Sequence, residues 1–168
     1  MKKALFLIFF YLSFSSTSAL ETKIIYVIEN EIITNIDIKN EFKYLVALNN
    51  KLKELDKERI FIISKESIIK EKIKKIEISK TFTDLNINEN YMDALLKKIY
   101  ISLNLESLEE FNLYLKTYDL SIEQVKKKIT IDALWNELII KKYKSKIEID
   151  EKKLKYKIVK TKKKKNKY

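Results

Sequence analysis

Between residues 23 and 42 the chain switches once from strand-like to helix-like patterning, and that switch limits what it can fold into. Ile24-Ile25-Tyr26-Val27-Ile28 is β-branched and aromatic, the composition that suits a pleated, half-buried surface. Glu29-Asn30-Glu31 breaks the run as a turn, with Asn30 the residue best able to take positive φ. Ile32-Ile33 returns as a second strand, and Thr34 with Asp37 three residues on predicts a capped helix start. A two-stranded hairpin is not stable alone. The rest of the chain offers only helices to support it. The expected class is mainly α: five to six helices preceded by a short N-terminal β-hairpin.

Apolar spacing places those helices. Ile38, Phe42, Leu45, Leu48, Leu52 and Leu55 recur at steps of three and four, predicting one helix over 35–55. A second is predicted over 57–80, with Ile62, Ile69, Ile73 and Ile76 inward. Its start, Ile60 to Ile63, is apolar all round and could be a strand, but the helical period resumes directly after it. A loop over 81–87 leads to Asn88, the cap of a helix over 89–103 with Tyr91, Leu95, Ile99 and Leu103 inward. Ser107 with Glu110 and Ser121 with Gln124 read as capping boxes for helices over 108–117 and 122–144. Phe111, Tyr114 and Leu115 mark the core face of the first. Ile122, Val125, Ile129, Ala133 or Leu134, Trp135, Leu138 and Tyr143 mark that of the second. Leu85-Asn86-Ile87-Asn88-Glu89 and Ile147-Glu148-Ile149-Asp150-Glu151 share one pattern, an extended segment entering a capped helix.

Lys2-Lys3, the apolar stretch from Ala4 to Phe14 and the small residues up to Ala19 have the form of a secretory signal peptide cut after Ala19. The apolar stretch is too short to span a bilayer. The expected division is a signal peptide over 1–19, a helical domain over 20–158 and a lysine-rich, disordered tail over 159–168. The full chain contains no Gly, Pro, Cys or His. That removes Gly-rich phosphate loops, the commonest general base, the thiolate nucleophile and most zinc chemistry. Neither a metal nor another cofactor is expected. The net charge of +11 invites a nucleic-acid reading. Export argues against it, and lysines interleaved with glutamates, as in Lys70-Glu71-Lys72, read as a solvated helix face. Only the run from Lys160 to Lys167 is concentrated enough for weak contact with an anionic membrane surface.

The order of parts resembles the N-terminal domain of SurA-type periplasmic chaperones. The pieces are Val27-Ile28-Glu29-Asn30-Glu31-Ile32-Ile33-Thr34, Ile68 to Ile73, Leu85 to Glu89, Asp119-Leu120-Ser121 and Ile147 to Glu151. The resemblance implies a periplasmic chaperone without catalytic residues, whose partners are unfolded, aromatic-rich outer-membrane β-barrel proteins. Family members usually continue into parvulin-type prolyl isomerase domains, which are Gly-rich and carry active-site His; this sequence has neither residue. The family's first domain is also closed by a helix from the far C-terminus, and no counterpart follows Leu154.

The carboxylates Glu109-Glu110 and Asp150-Glu151 read as first-turn residues favoured by the helix dipole, so no catalytic residue is expected. The candidate peptide-binding residues are Tyr91, Leu95, Ile99, Phe111, Tyr114, Trp135 and Leu138. Aromatics at helical spacing most often pack inward; the functional alternative is a partly open groove that holds extended segments by apolar area. With no closing helix, an apolar client groove or a self-association face is expected beside the helices over 89–103 and 122–144. Two other readings stay open: a truncated peptidylprolyl isomerase lacking its catalytic domain, and a basic periplasmic protein that binds anionic lipid.

Overall fold

The computed structural model describes residues 21–144. The signal peptide expected up to Ala19, the segment 147–154 and the lysine-rich tail lie outside the described residues. Two antiparallel strands, β1 (Ile24–Ile28) and β2 (Glu31–Thr34), open the fold. Then come α1 (Asn35–Leu48), a 3-10 turn (Asn50–Glu54), α2 (Lys57–Ser79), α3 (Glu89–Ser102), α4 (Leu108–Lys116) and α5 (Ile122–Tyr143). The protein is therefore mainly helical and led by a hairpin, as the patterning predicts.

Pairs Ile28–Glu31, Val27–Ile32 and Tyr26–Ile33 set the hairpin register, and Ile25 falls at an irregularity. One face of the hairpin is anchored by Ile33, which is fully buried against Ile38 of α1 and Ile68 of α2. Glu31 adds a charged clamp, meeting Lys72 at 2.7 Å and Lys75 at 2.6 Å on α2. The positive φ expected of Asn30 falls instead on Glu29, at 49°. Only two residues separate the strands, and a turn that follows the strands' twist needs the left-handed conformation at its first position. Thr34 then closes a complete capping box: its hydroxyl accepts from the Asp37 amide at 3.2 Å, and the Asp37 carboxylate accepts from the Thr34 amide at 2.8 Å.

The first helix stops earlier than its apolar stripe predicts. Asn49 is extended, and its side-chain oxygen accepts from the Lys51 amide at 3.1 Å, starting the 3-10 turn. A short polar side chain that bonds the nearby backbone competes with helix continuation, and here it wins. Leu52 and Leu55 thus leave the α1 stripe, and α1 buries Ile38, Glu41 and Ala47.

The inward face of α2 also differs from expectation. Ile60, Ser64, Ile68 and Ile78 are buried, whereas Ile62 and Ile73 are 56% and 44% exposed. Isoleucine occurs on every side of this helix, so spacing alone does not fix the face. Neighbours fix it: Ser64, small and donating to the Ile60 carbonyl at 2.7 Å, sits fully buried in the interior.

The last three helices follow their predicted boundaries closely. Leu96, rather than the predicted positions, is the buried residue of α3; Leu95, Ile99 and Leu103 are half-buried, and Tyr91 is exposed. Phe111 and Leu115 of α4, and Val125 and Ile129 of α5, join Leu96 and Ala47 in the main core. Further along α5, Leu134 and Leu138 form a smaller cluster with Ile78 of α2. Tyr143, expected inward, is exposed at the end of α5. Ser121 and Gln124 make the complete box predicted for α5. The Ser107 box is half made: Ser107 accepts from the Glu110 amide, but the Glu110 carboxylate turns to the Glu106 amide at 2.8 Å.

Candidate functional site

A cleft of about 780 Å³ opens between α2, the segment 81–88, the first turns of α3, and α5. The sequence builds each wall locally. The Ile78 carbonyl accepts from the amides of Thr81 and Phe82, both at 2.9 Å, and so closes α2. The chain then runs without helix or strand through 83–88. Asp84 steadies it by accepting from the Asn86 amide at 3.1 Å and from the Asn86 side chain at 2.7 Å. Asn88 accepts from the Tyr91 amide at 3.3 Å and starts α3.

The floor is apolar: Ile78, Ile87, Met92, Ile131 and Leu134, with Leu85 at the lip. Ile87 packs against both the main core and the cluster around Ile78, so this segment is anchored from beneath. Charges of both signs form the rim. Most already have partners: Lys72 and Lys75 with Glu31, and Lys126 with Glu123 at 3.3 Å. Glu89, Asp93 and Lys127 have no ion pair among the described residues and remain open to a ligand.

A buried charge cluster fixes the helices behind this wall. Lys128 of α5 is held between Glu41 of α1, at 2.5 Å, and Glu71 of α2. Glu41 is only 2% exposed, and its other oxygen accepts from the Ser67 hydroxyl at 2.6 Å. The Lys128 ammonium also lies 4.8 Å from the Tyr44 ring centre. Burial works against the charged lysine, but Glu41 and Glu71 overcome it and hold its pKa above the ordinary value. Burial, and next the Glu41 charge, drive the Tyr44 phenol upward, so it stays protonated and neutral. The solvated face expected at 70–72 is thus only partly solvated. Lys70 is exposed, while Glu71 and Lys72 reach across to α5 and the hairpin.

The residues singled out from sequence do not converge on one surface. Phe111 is fully buried, and its ring lies 6.4 Å from that of Tyr100. Leu95, Ile99 and Tyr114 pack half-buried around the same core. Trp135 and Leu138 belong to the separate cluster with Ile78 and Leu134. Tyr91 is 51% exposed. None of them lines the cleft. Tyr114 is tied down by a 2.7 Å bond from its hydroxyl to the Ala47 carbonyl, and it stacks obliquely on Tyr118 at 5.2 Å. Of the residues that do line the cleft, Leu85 and Ile87 carry a sequence signal, the alternation before Asn88. Met92, four residues before Leu96, and Ile131, seven before Leu138, continue the apolar lines of their helices, and nothing local in the sequence marks where those lines open into a cleft.

Among the described residues no cluster of acids could hold a metal ion, and no helix is long and apolar enough to cross a membrane. The chain matches no protein family, no curated protein and no solved structure.

Proposed function

We propose that this chain is a chaperone-like domain that holds extended segments of unfolded proteins in the cleft between α2, α3 and α5, without chemistry of its own. The observation that carries the reading is the cleft itself, with an apolar floor, charges of both signs at the rim and one wall of backbone outside any helix or strand. Such a surface binds by area and tolerates many sequences. The proposed setting is the periplasm, supported by the basic n-region and apolar stretch before Ala19, and the proposed clients are unfolded outer-membrane β-barrel proteins, supported by the sequence resemblance alone.

The test is to dilute a urea-unfolded outer-membrane β-barrel protein into buffer with and without the purified chain and to follow light scattering. Aggregation should slow, and the effect should persist at high salt, because salt screens charges but does not weaken apolar burial. Leu85→Asp at the lip should reduce the protection several-fold without unfolding the protein, since Leu85 is 37% exposed. Aggregation at the buffer rate in the presence of the native chain would reject the reading.

A further inference from the structure

Four acids and four lysines line the cleft, and they differ in what already holds them. On the α2 wall, Lys72 and Lys75 are drawn to Glu31 of the hairpin, at 2.7 and 2.6 Å. Glu71 beside them is held by Lys128, whose second partner is the buried Glu41. That wall therefore sets three lysines against three glutamates and offers a ligand no net charge. On the α5 wall, Lys126 is paired with Glu123 at 3.3 Å, which leaves Lys127.

The α3 wall is different. Glu89 and Asp93 are both exposed, and neither has an ion pair among the described residues. Four residues apart, they share one face of the helix, and like charges at that spacing weaken it. Glu89 lies in the first turn, where the helix dipole favours an acid; Asp93 lies beyond that turn and gains little. Lys97, one turn further on, makes no ion pair with Asp93 among the described residues and does not line the cleft. A cation brought by a ligand would relieve what the protein itself leaves uncompensated.

We propose that Glu89 and Asp93 make the cleft selective for extended client segments in which a lysine or arginine stands beside the apolar residues. Glu31 sharpens the choice by neutralising Lys72 and Lys75, which would otherwise draw acidic segments. The inference rests on the chaperone reading and says which clients the cleft prefers. The apolar floor supplies affinity, and the rim chooses among segments, because charge complementarity contributes specificity more than affinity. Met92 of the floor is the sequence neighbour of Asp93. An apolar side chain resting on it brings the next residues of an extended segment, at about 3.3 Å per step, to the acids.

The probes are three fluorescein-labelled synthetic peptides with one core of alternating leucine and serine, flanked by lysine, glutamine or glutamate. The readout is fluorescence anisotropy with the full chain. At low salt the lysine peptide should bind about threefold more tightly than the glutamine peptide, the scale of an exposed ion pair, and the glutamate peptide more weakly than both. At high salt the three should converge without loss of binding, because salt screens the rim and leaves apolar burial intact. Glu89→Gln with Asp93→Asn should bring the lysine peptide to the affinity of the glutamine peptide. Glu31→Gln, which leaves Lys72 and Lys75 without their partner, should raise the affinity for the glutamate peptide about threefold. Glu89 and Asp93 are exposed, so their exchange tests the proposal even if Glu31→Gln unfolds the hairpin. Equal affinity of the three peptides at low salt, or a lysine preference that survives in Glu89→Gln with Asp93→Asn, would overturn the proposal and leave the chaperone reading intact. No binding of any peptide would overturn both. Protection of the Ile87 amide from hydrogen exchange without peptide would also overturn it. Protection that grows with protein concentration assigns the cleft to a second copy, and protection constant at every dilution assigns it to the chain's own lysine-rich end.

Discussion

The residue with most at stake is Lys128. It satisfies Glu41, a carboxylate with almost no access to water, and it reaches Glu71 at the same time. Removing one partner of a buried pair strands the other charge, at a cost of about 3–5 kcal/mol. Lys128→Met should therefore lower stability by roughly that amount in urea denaturation, whereas Lys128→Met with Glu41→Leu should recover most of the loss. Glu31 makes a pH prediction. Hydrogen bonds from Lys72 and then Lys75 hold its pKa below the ordinary 4.5. A depressed carboxylate stabilises the fold above its unfolded pKa, and that contribution is lost as pH falls through the folded value. Thermal melts should thus show a stability loss beginning near pH 4.5 and extending below it, shallower in Glu31→Gln. Thr34 and Ser121 were legible as caps because a capping box is a contact of near neighbours. The Lys128 cluster was not, because its members are spread over three helices and each lies in a lysine–glutamate pattern typical of solvated faces.

At the scale of the element, caps and packing faces differ in how much of them the sequence shows. The Ser121 box is complete and that of Ser107 is half made, yet each hydroxyl takes one orphan amide. Ser121→Ala should cost about 1 kcal/mol in denaturant unfolding, with no change in helix content at 25 °C. Helix faces were less legible where isoleucine surrounds the axis, as in α2, because periodicity needs polar residues to define its other side. The cleft was legible only in part: Leu85-Asn86-Ile87 announces a segment between helices with alternate apolar residues, while Met92 and Ile131 become neighbours only through the crossing of α3 and α5 with it. Aromatic spacing pointed to Phe111 and Tyr114, and the structure uses them to build the core around Ala47 and Leu96.

Across the whole molecule, apolar packing is divided into a main cluster under α1, α3, α4 and α5 and two small ones. The hairpin rests on the cluster of Ile33, Ile38 and Ile68, helped by the Glu31 clamp. Stability is then uneven, since elements with few buried contacts open first. Native-state hydrogen exchange should show the β1 and β2 amides opening at lower free energy than the middle of α5. Ile68→Ala should widen that gap and cost about 2–5 kcal/mol overall. Equal protection of hairpin and α5 would show that the small cluster is coupled to the rest more tightly than its size implies.

A chain without glycine still has to turn back on itself at helix ends. After α3 the Asn104 amide bonds the Ile101 carbonyl and the Leu105 amide bonds Tyr100, each at 3.0 Å, with Asn104 at φ 62°. After α4, Asp119 and Leu120 repeat the arrangement on Lys116 and Leu115, with Asp119 at φ 54°. These are the positions where other proteins place glycine, because a Cβ is crowded in the left-handed conformation. Asn104 and Asp119 each hold a Cβ in that conformation, a cost that glycine would not carry. Asn104→Gly, at an exposed residue with no side-chain hydrogen bond among the described residues, should raise the melting temperature slightly. A melting temperature no higher than that of the native chain would show that asparagine fits this corner as well as glycine does.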